Sequence, residues 1–203
     1  MRRWLRPVLR LAAAQADPVW VERARSLLEV VLEQFDDGQD GFFDTAADAE
    51  QLYSRPQDPT DNATPSGLTC TIHALALAGE LTGESRFAER AERAARCSGA
   101  LALQAPRFAG WLLADAVTRT PEHAAVQVAI VGEPGPVRDE LVRTAWRQAP
   151  AGSVVVAGES DQPGLELLAD RPAVGGLPTA YVCRGFVCRL PVTSVAGLIA
   201  QLS

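Results

Sequence analysis

Apolar positions along this chain fall into two regimes. Up to about residue 118 they recur at helical spacing. Trp4, Leu5, Val8, Leu9 and Leu11 share one side of a helix over 3–15. Trp20, Ala24, Leu27, Leu28, Val31 and Phe35 mark a second helix; Asp17-Pro18 supplies its N-cap and first helical position, and Asp36-Asp37-Gly38 its stop. A third helix over 67–82 opens at an N-cap, Ser66, and is apolar nearly all round (Leu68, Ile72, Leu75, Leu77, Leu81), which predicts burial. A fourth over 85–99 turns Phe87, Ala91, Ala94 and Ala95 inward and carries Glu89–Arg93 and Glu92–Arg96 at i,i+4 outside. A fifth over 106–118 starts at Pro106 and buries Phe108, Trp111 and Leu112. Short turns between long helices predict antiparallel hairpins.

Beyond that the period changes. AVQVAIV (125–131) and SVVVA (153–157) read as strands, with a helix over 136–148 between them, so the strands pair in parallel across a crossover. Residues 158–177 read as irregular, with one helical turn over 166–169. Residues 179–183 and 186–190 form a hairpin around Arg184-Gly185, and a last helix covers 194–202. The fold class is mainly α: helical hairpins over 1–120, then a small α/β module over 121–203.

One stretch fits neither period. DGFFDTAADAEQLYSRPQDPTDNATPSG (40–67) is polar, interrupted by Pro56, Pro59 and Pro65, and longer than an ordinary helix connector. Its aromatics argue against disorder; a short helix is predicted over 46–53. It holds the candidate ligand-binding set: Asp44, Arg55, Asp58, Asp61 and Asn62, with Phe42 and Phe43. Carboxylates, amides and aromatic faces are what a sugar-like small molecule needs, and two carboxylates at the right separation serve glycoside chemistry. The same residues also make Asx-turns, and Arg55 pairing with an Asp pins a loop. Phe42-Phe43 reads as a stacking platform or as a core plug beneath the loop.

Composition narrows the chemistry. The 203 residues carry a net charge of −6, so no global field favours nucleic acid. All 19 basic residues are Arg, which excludes a lysine Schiff base or a P-loop lysine. No apolar run is long enough for a membrane span, and Arg6, Pro7 and Arg10 interrupt the N-terminal apolar segment, against a signal peptide. A cytoplasmic location follows as the expectation, with its cysteines reduced. Cys183 and Cys188 face each other only if the turn spans 184–187; a two-residue Arg184-Gly185 turn separates them. No Cys-x-x-Cys is present, so neither zinc nor any other cofactor is expected. His73 reads as a core histidine and His123 as a solvated turn residue; no catalytic residue is assigned.

GFFDTAADAEQLYSRPQDPTDNATPSG, the helix pair after it, and RPAVGGLPTAYVCRGFVCRLPVTS together resemble one family: the thioredoxin domain-containing proteins related to spermatogenesis-associated protein 20. The likeness covers about 16–203. It implies the C-terminal portion of a longer architecture, in which a thioredoxin-like domain precedes an (α/α) toroid similar to N-acylglucosamine 2-epimerases and six-hairpin glycosidases. The hairpins here then form a partial (α/α) toroid, with exposed faces around Leu5, Leu9, Trp20 and Leu28 for the missing N-terminal region or a partner chain. The tail is similar to the thioredoxin order of elements, with Pro178-Thr179 opening its hairpin. The functions implied are binding of a sugar-like ligand, a structural or protein-interaction module, or a carbohydrate-active enzyme using Asp58 and Asp61.

Overall fold

Side-chain caps set the first helix boundaries. In the computed structural model, which describes residues 2–50, 53–117 and 125–203, the Val19 N–H donates to Asp17 Oδ1 (2.9 Å) and the Thr69 N–H to Ser66 Oγ (3.0 Å). Both are N-caps, satisfying donors that the first helical turn leaves without a partner. The helices are α1 (Arg2–Gln15), α2 (Pro18–Gln34), α3 (Gly67–Thr82) and α4 (Ser85–Cys97). α3 is buried along most of its length, as its all-round apolar pattern requires.

The region after α4 differs from expectation. A further short helix, α5 (Gly99–Gln104), precedes a 3-10 turn (Pro106–Phe108), and α6 begins only at Gly110 (Gly110–Val117). Trp111 is 44% exposed rather than buried, its Nε1–H donating to the Asn62 carbonyl (3.3 Å); Phe108 and Leu112 are half-buried. The described part of 46–53 forms a turn and no helix. Leu5, Leu9 and Leu28 are buried and Trp20 half-buried, so the exposed face expected on α1 and α2 is covered by the chain itself. Among the exposed large apolar side chains, Leu103, Trp111 and Leu113 lie on α5 and α6 and Val19 on α2.

The second part of the chain is a mixed four-stranded sheet with strand order β2-β1-β3-β4. Its elements are β1 (Gln127–Val131), α7 (Pro136–Gln148), β2 (Val154–Gly158), β3 (Thr179–Arg184), β4 (Val187–Cys188) and α8 (Val195–Leu202). β1 and β2 pair in parallel, with Gln127 opposite Val154; β1 and β3 pair antiparallel, with Gln127 opposite Cys183. Alternate residues divide the sheet's two faces. Val126, Val128, Ile130, Val155, Ala180 and Val182 pack with Leu141 and Ala145 of α7 and Leu198 of α8. Beneath the other face, a 3-10 turn (Glu166–Leu168) contacts β1 and β2 with Leu167 and Leu168 fully buried. Gly132 (φ +133°) is required by close approach: a Cβ there would sit 2.9 Å from the Pro178 backbone.

Two compact units result. One comprises Met1–Leu9, Glu22–Gly79 and Glu84–Val117; the other comprises Arg10–Val21, Glu80–Gly83 and Thr118–Ser203. The boundary expected at Thr120-Pro121, and His123 with it, lie outside the described residues. The second unit also takes in 10–21 and 80–83, which the sequence reading assigns to the helical part. The architecture is thus helix-rich with a small mixed sheet. Among the described residues no helix is long and apolar enough to cross a membrane.

Candidate functional site

The long loop between α2 and α3 is built around two arginines and one aspartate. Arg90, on α4, is 5% exposed. Its Nη2 donates to Asp36 Oδ2 (2.9 Å) and the Gly41 carbonyl (2.8 Å), its Nη1 to the Asp40 carbonyl (3.1 Å), and the guanidinium lies 4.0 Å from the centre of the Phe42 ring. One side chain thereby fixes the start of the loop by ion pairing, carbonyl capture and cation–π contact. Phe42 is buried: of the two expected roles, it is the plug.

Arg55 fixes the middle. Its Nη2 donates to the carbonyls of Gln34 (2.8 Å) and Thr45 (2.6 Å), and its guanidinium stacks 3.9 Å from the centre of Phe43. It pins the loop through carbonyls, where the sequence reading expected an aspartate partner. Phe43, half-buried under that cation, also donates its N–H to the Phe35 carbonyl (2.8 Å).

Asp61 fixes the end. It is 2% exposed. Oδ1 accepts the Ser66 N–H (2.8 Å); Oδ2 accepts the N–H groups of Trp111 (3.0 Å) and Leu112 (3.3 Å). The Asp61 N–H itself donates to the Phe108 carbonyl (2.6 Å). One carboxylate thus reaches the N-cap residue of α3 and caps the N-terminal turn of α6 as well, where the helix dipole favours negative charge. This explains why α6 starts at Gly110.

The remaining candidates are also committed to the loop. Asp44 Oδ2 accepts the Asp58 N–H (2.7 Å), and Asp58 Oδ1 accepts the Thr60 N–H (2.9 Å) and hydroxyl. The Thr60 hydroxyl, and then its N–H, hold the Asp58 carboxyl below its ordinary value. Burial pushes Asp37 up, but the Gln39 N–H, the Gln57 amide, the Gly41 N–H and the Arg90 charge together outweigh it and leave its carboxyl lowered. The Asn62 N–H donates to the Thr64 carbonyl (3.0 Å). The structure therefore brings Asp44 and Asp58 together, ties Asn62 to Trp111, and sets Asp61 apart beneath the loop. None of these seven side chains lines the cavities of about 360, 490 and 260 Å³ that lie around Trp146, Arg171 and Arg189, and among the described residues no group of three or more His, Cys, Asp or Glu is placed to hold a metal ion. His73 is buried in α3, with Arg6 Nη1 3.5 Å from its Nδ1.

A second site lies in the sheet unit, where the expectation of reduced cysteines is corrected. The β3–β4 turn is Gly185-Phe186, both at positive φ (+54° and +65°), with Arg184 opposite Val187. That register, one residue on from the expected turn, places Cys183 opposite Cys188, and the two form a disulfide. Beside it lies Arg171, which sequence reasoning passed over; its only signal was the RPAV string before the hairpin. No protein-family model matches the chain, and no curated protein matches it either.

Proposed function

We propose that this chain corresponds to the C-terminal portion of a protein related to the spermatogenesis-associated protein 20 type of thioredoxin domain-containing protein, and that it acts there as a structural module. In this reading the long loop is a clasp that closes one end of a set of helical hairpins from an (α/α) toroid. The observation that carries it is the Asp61 carboxylate, spent on three backbone N–H groups. A sugar-binding or acid/base carboxylate keeps lone pairs for its ligand; this one has become part of two helix ends. The strand order and the Pro178-Thr179 entry to β3 support the likeness of the tail to thioredoxins, although the Leu177–Pro178 peptide is trans. The partner implied is further hairpins of the same architecture, meeting Leu103, Trp111 and Leu113.

Thermal melting with and without monosaccharides separates this from the sugar-binding reading. Asp61→Ala removes a buried charged acceptor from three donors, a loss of about 2–4 kcal/mol. For a chain of this size that lowers Tm by roughly 5–12 °C. The structural reading predicts this drop, near-wild-type melting for Asp58→Ala, and no sugar-induced shift in any of the three proteins. A sugar-induced shift in wild type that Asp58→Ala abolishes would overturn it.

A further inference from the structure

The Cys183–Cys188 disulfide sits against a buried cation that forms no ion pair among the described residues. Arg171 is 7% exposed. Its Nη1 donates to the carbonyls of Ala169 (2.6 Å) and Glu166 (3.3 Å); its Nη2 points at Cys188 Sγ (3.3 Å) and Cys183 Sγ (3.9 Å); its Nε is buried with no hydrogen-bond partner. Glu166 and Asp170 are close enough to act on the charge, yet among the described residues no carboxylate forms an ion pair with it. A buried guanidinium facing two neutral sulfurs is poorly compensated. A thiolate at either sulfur would compensate it.

Access points the same way. Cys183 is buried, while Cys188 is partly exposed and lines a cavity of about 490 Å³ together with Arg171, Tyr181, Glu166 and Phe186. Tyr181 donates its hydroxyl to the Pro172 carbonyl (2.7 Å), holding the wall of that cavity.

We propose that Cys183–Cys188 is an exchangeable redox disulfide whose reduced form Arg171 stabilises, and that its substrate is a dithiol. A thiolate of the dithiol enters the cavity and attacks Cys188 Sγ. A mixed disulfide forms, the Cys183–Cys188 bond breaks, and Cys183 leaves as a thiolate within reach of Arg171. The second thiol of the donor then attacks the donor's own sulfur in the mixed disulfide and releases Cys188 as a thiolate. Two electrons pass from the dithiol, which becomes a disulfide. Its two protons go one to Cys183 and one to solvent, and Cys188 remains as the thiolate paired with Arg171. The arrangement owes nothing to a Cys-x-x-Cys helix; the cation comes from the segment before β3.

The test uses the full oxidised chain under native conditions, with dithiothreitol as the dithiol and peptide-resolved alkylation as the readout for Cys183 and Cys188. Wild type is expected to be reduced without denaturant. Arg171→Met should slow reduction by about tenfold, as a rise in leaving-thiol pKa predicts, and Arg171→Lys should recover much of the rate. Equal rates for wild type and Arg171→Met, both folded by circular dichroism, would overturn the proposal, as would reduction of wild type only after unfolding. Should Arg171→Met fail to fold, the pH dependence of Cys188 alkylation in reduced wild type decides: a thiol pKa well below about 8.5 supports the pairing, and one at or above it refutes it.

Discussion

Asp61 gathers N–H groups and Arg90 gathers carbonyls; between them they hold both ends of the loop. Each is a buried charge whose partners are largely backbone, so its removal leaves several polar groups unsatisfied at once. Arg90→Met keeps the side-chain length but abandons Asp36 and the carbonyls of Asp40 and Gly41. Because Asp36 is partly exposed, the expected cost is about 2–3 kcal/mol rather than that of a fully buried pair, read as a lower urea midpoint at unchanged m-value. The chemistry of these residues was legible in the sequence only in kind. An Asp before Asn in a Pro-rich stretch announces turn-making, and Asp61 does make hydrogen bonds to backbone. That its partners include Trp111, 50 positions on, has no local signature. Arg90 falls at i+3 from Phe87, on the inward face it shares with Ala91 and Ala94, so the period of α4 marks its direction; that its partners are Asp36 and the carbonyls of Asp40 and Gly41 has no local signature.

At the scale of elements, the loop's acidic residues give it a pH dependence. Asp37 and Asp58 both have lowered carboxyl pKa values in the folded chain. A group whose folded value lies below its unfolded one adds stability above the unfolded value, about 3.9 for Asp, and loses it as pH falls through the folded value. Loop order should therefore be constant from neutrality down to about pH 4 and decline below it, with the backbone amides of Gln39, Gly41 and Thr60 losing protection from exchange before the core of α3 does. The helices with strong periodicity, α1 to α4 and α7, stood close to where the pattern put them; Asp17 and Ser66 cap α2 and α3 from within the local sequence, and Pro136 starts α7. α5 and α6 did not, since α6 takes its cap from Asp61 in another element. The hairpin turn slipped by one residue for a related reason. Arg184-Gly185 satisfies the local preference for glycine, whereas the observed turn puts Phe186 in the left-handed region, at a local cost that β pairing and the cysteine bridge offset.

For the whole molecule, the sequence anticipated helical hairpins followed by a strand-bearing module, and the chain is helix-rich with a small mixed sheet. It did not anticipate that the sheet unit would recruit residues from near the N-terminus. Arg10 Nη1 donates to the Ser153 carbonyl (3.2 Å), and the Gln162 amide donates to the Ala16 carbonyl. Both are tertiary choices among many arginines and glutamines, and no pattern along the chain singles them out. The central claim is that the polar loop spends its functional groups on its own backbone, with Asp61 as the clasp. Amide hydrogen exchange tests it most directly. The N–H groups of a first helical turn ordinarily lack intrahelical partners and exchange quickly. Slow exchange at Ser66, Trp111 and Leu112 in wild type, lost together in Asp61→Ala, is the predicted result; fast exchange at all three in wild type would contradict it.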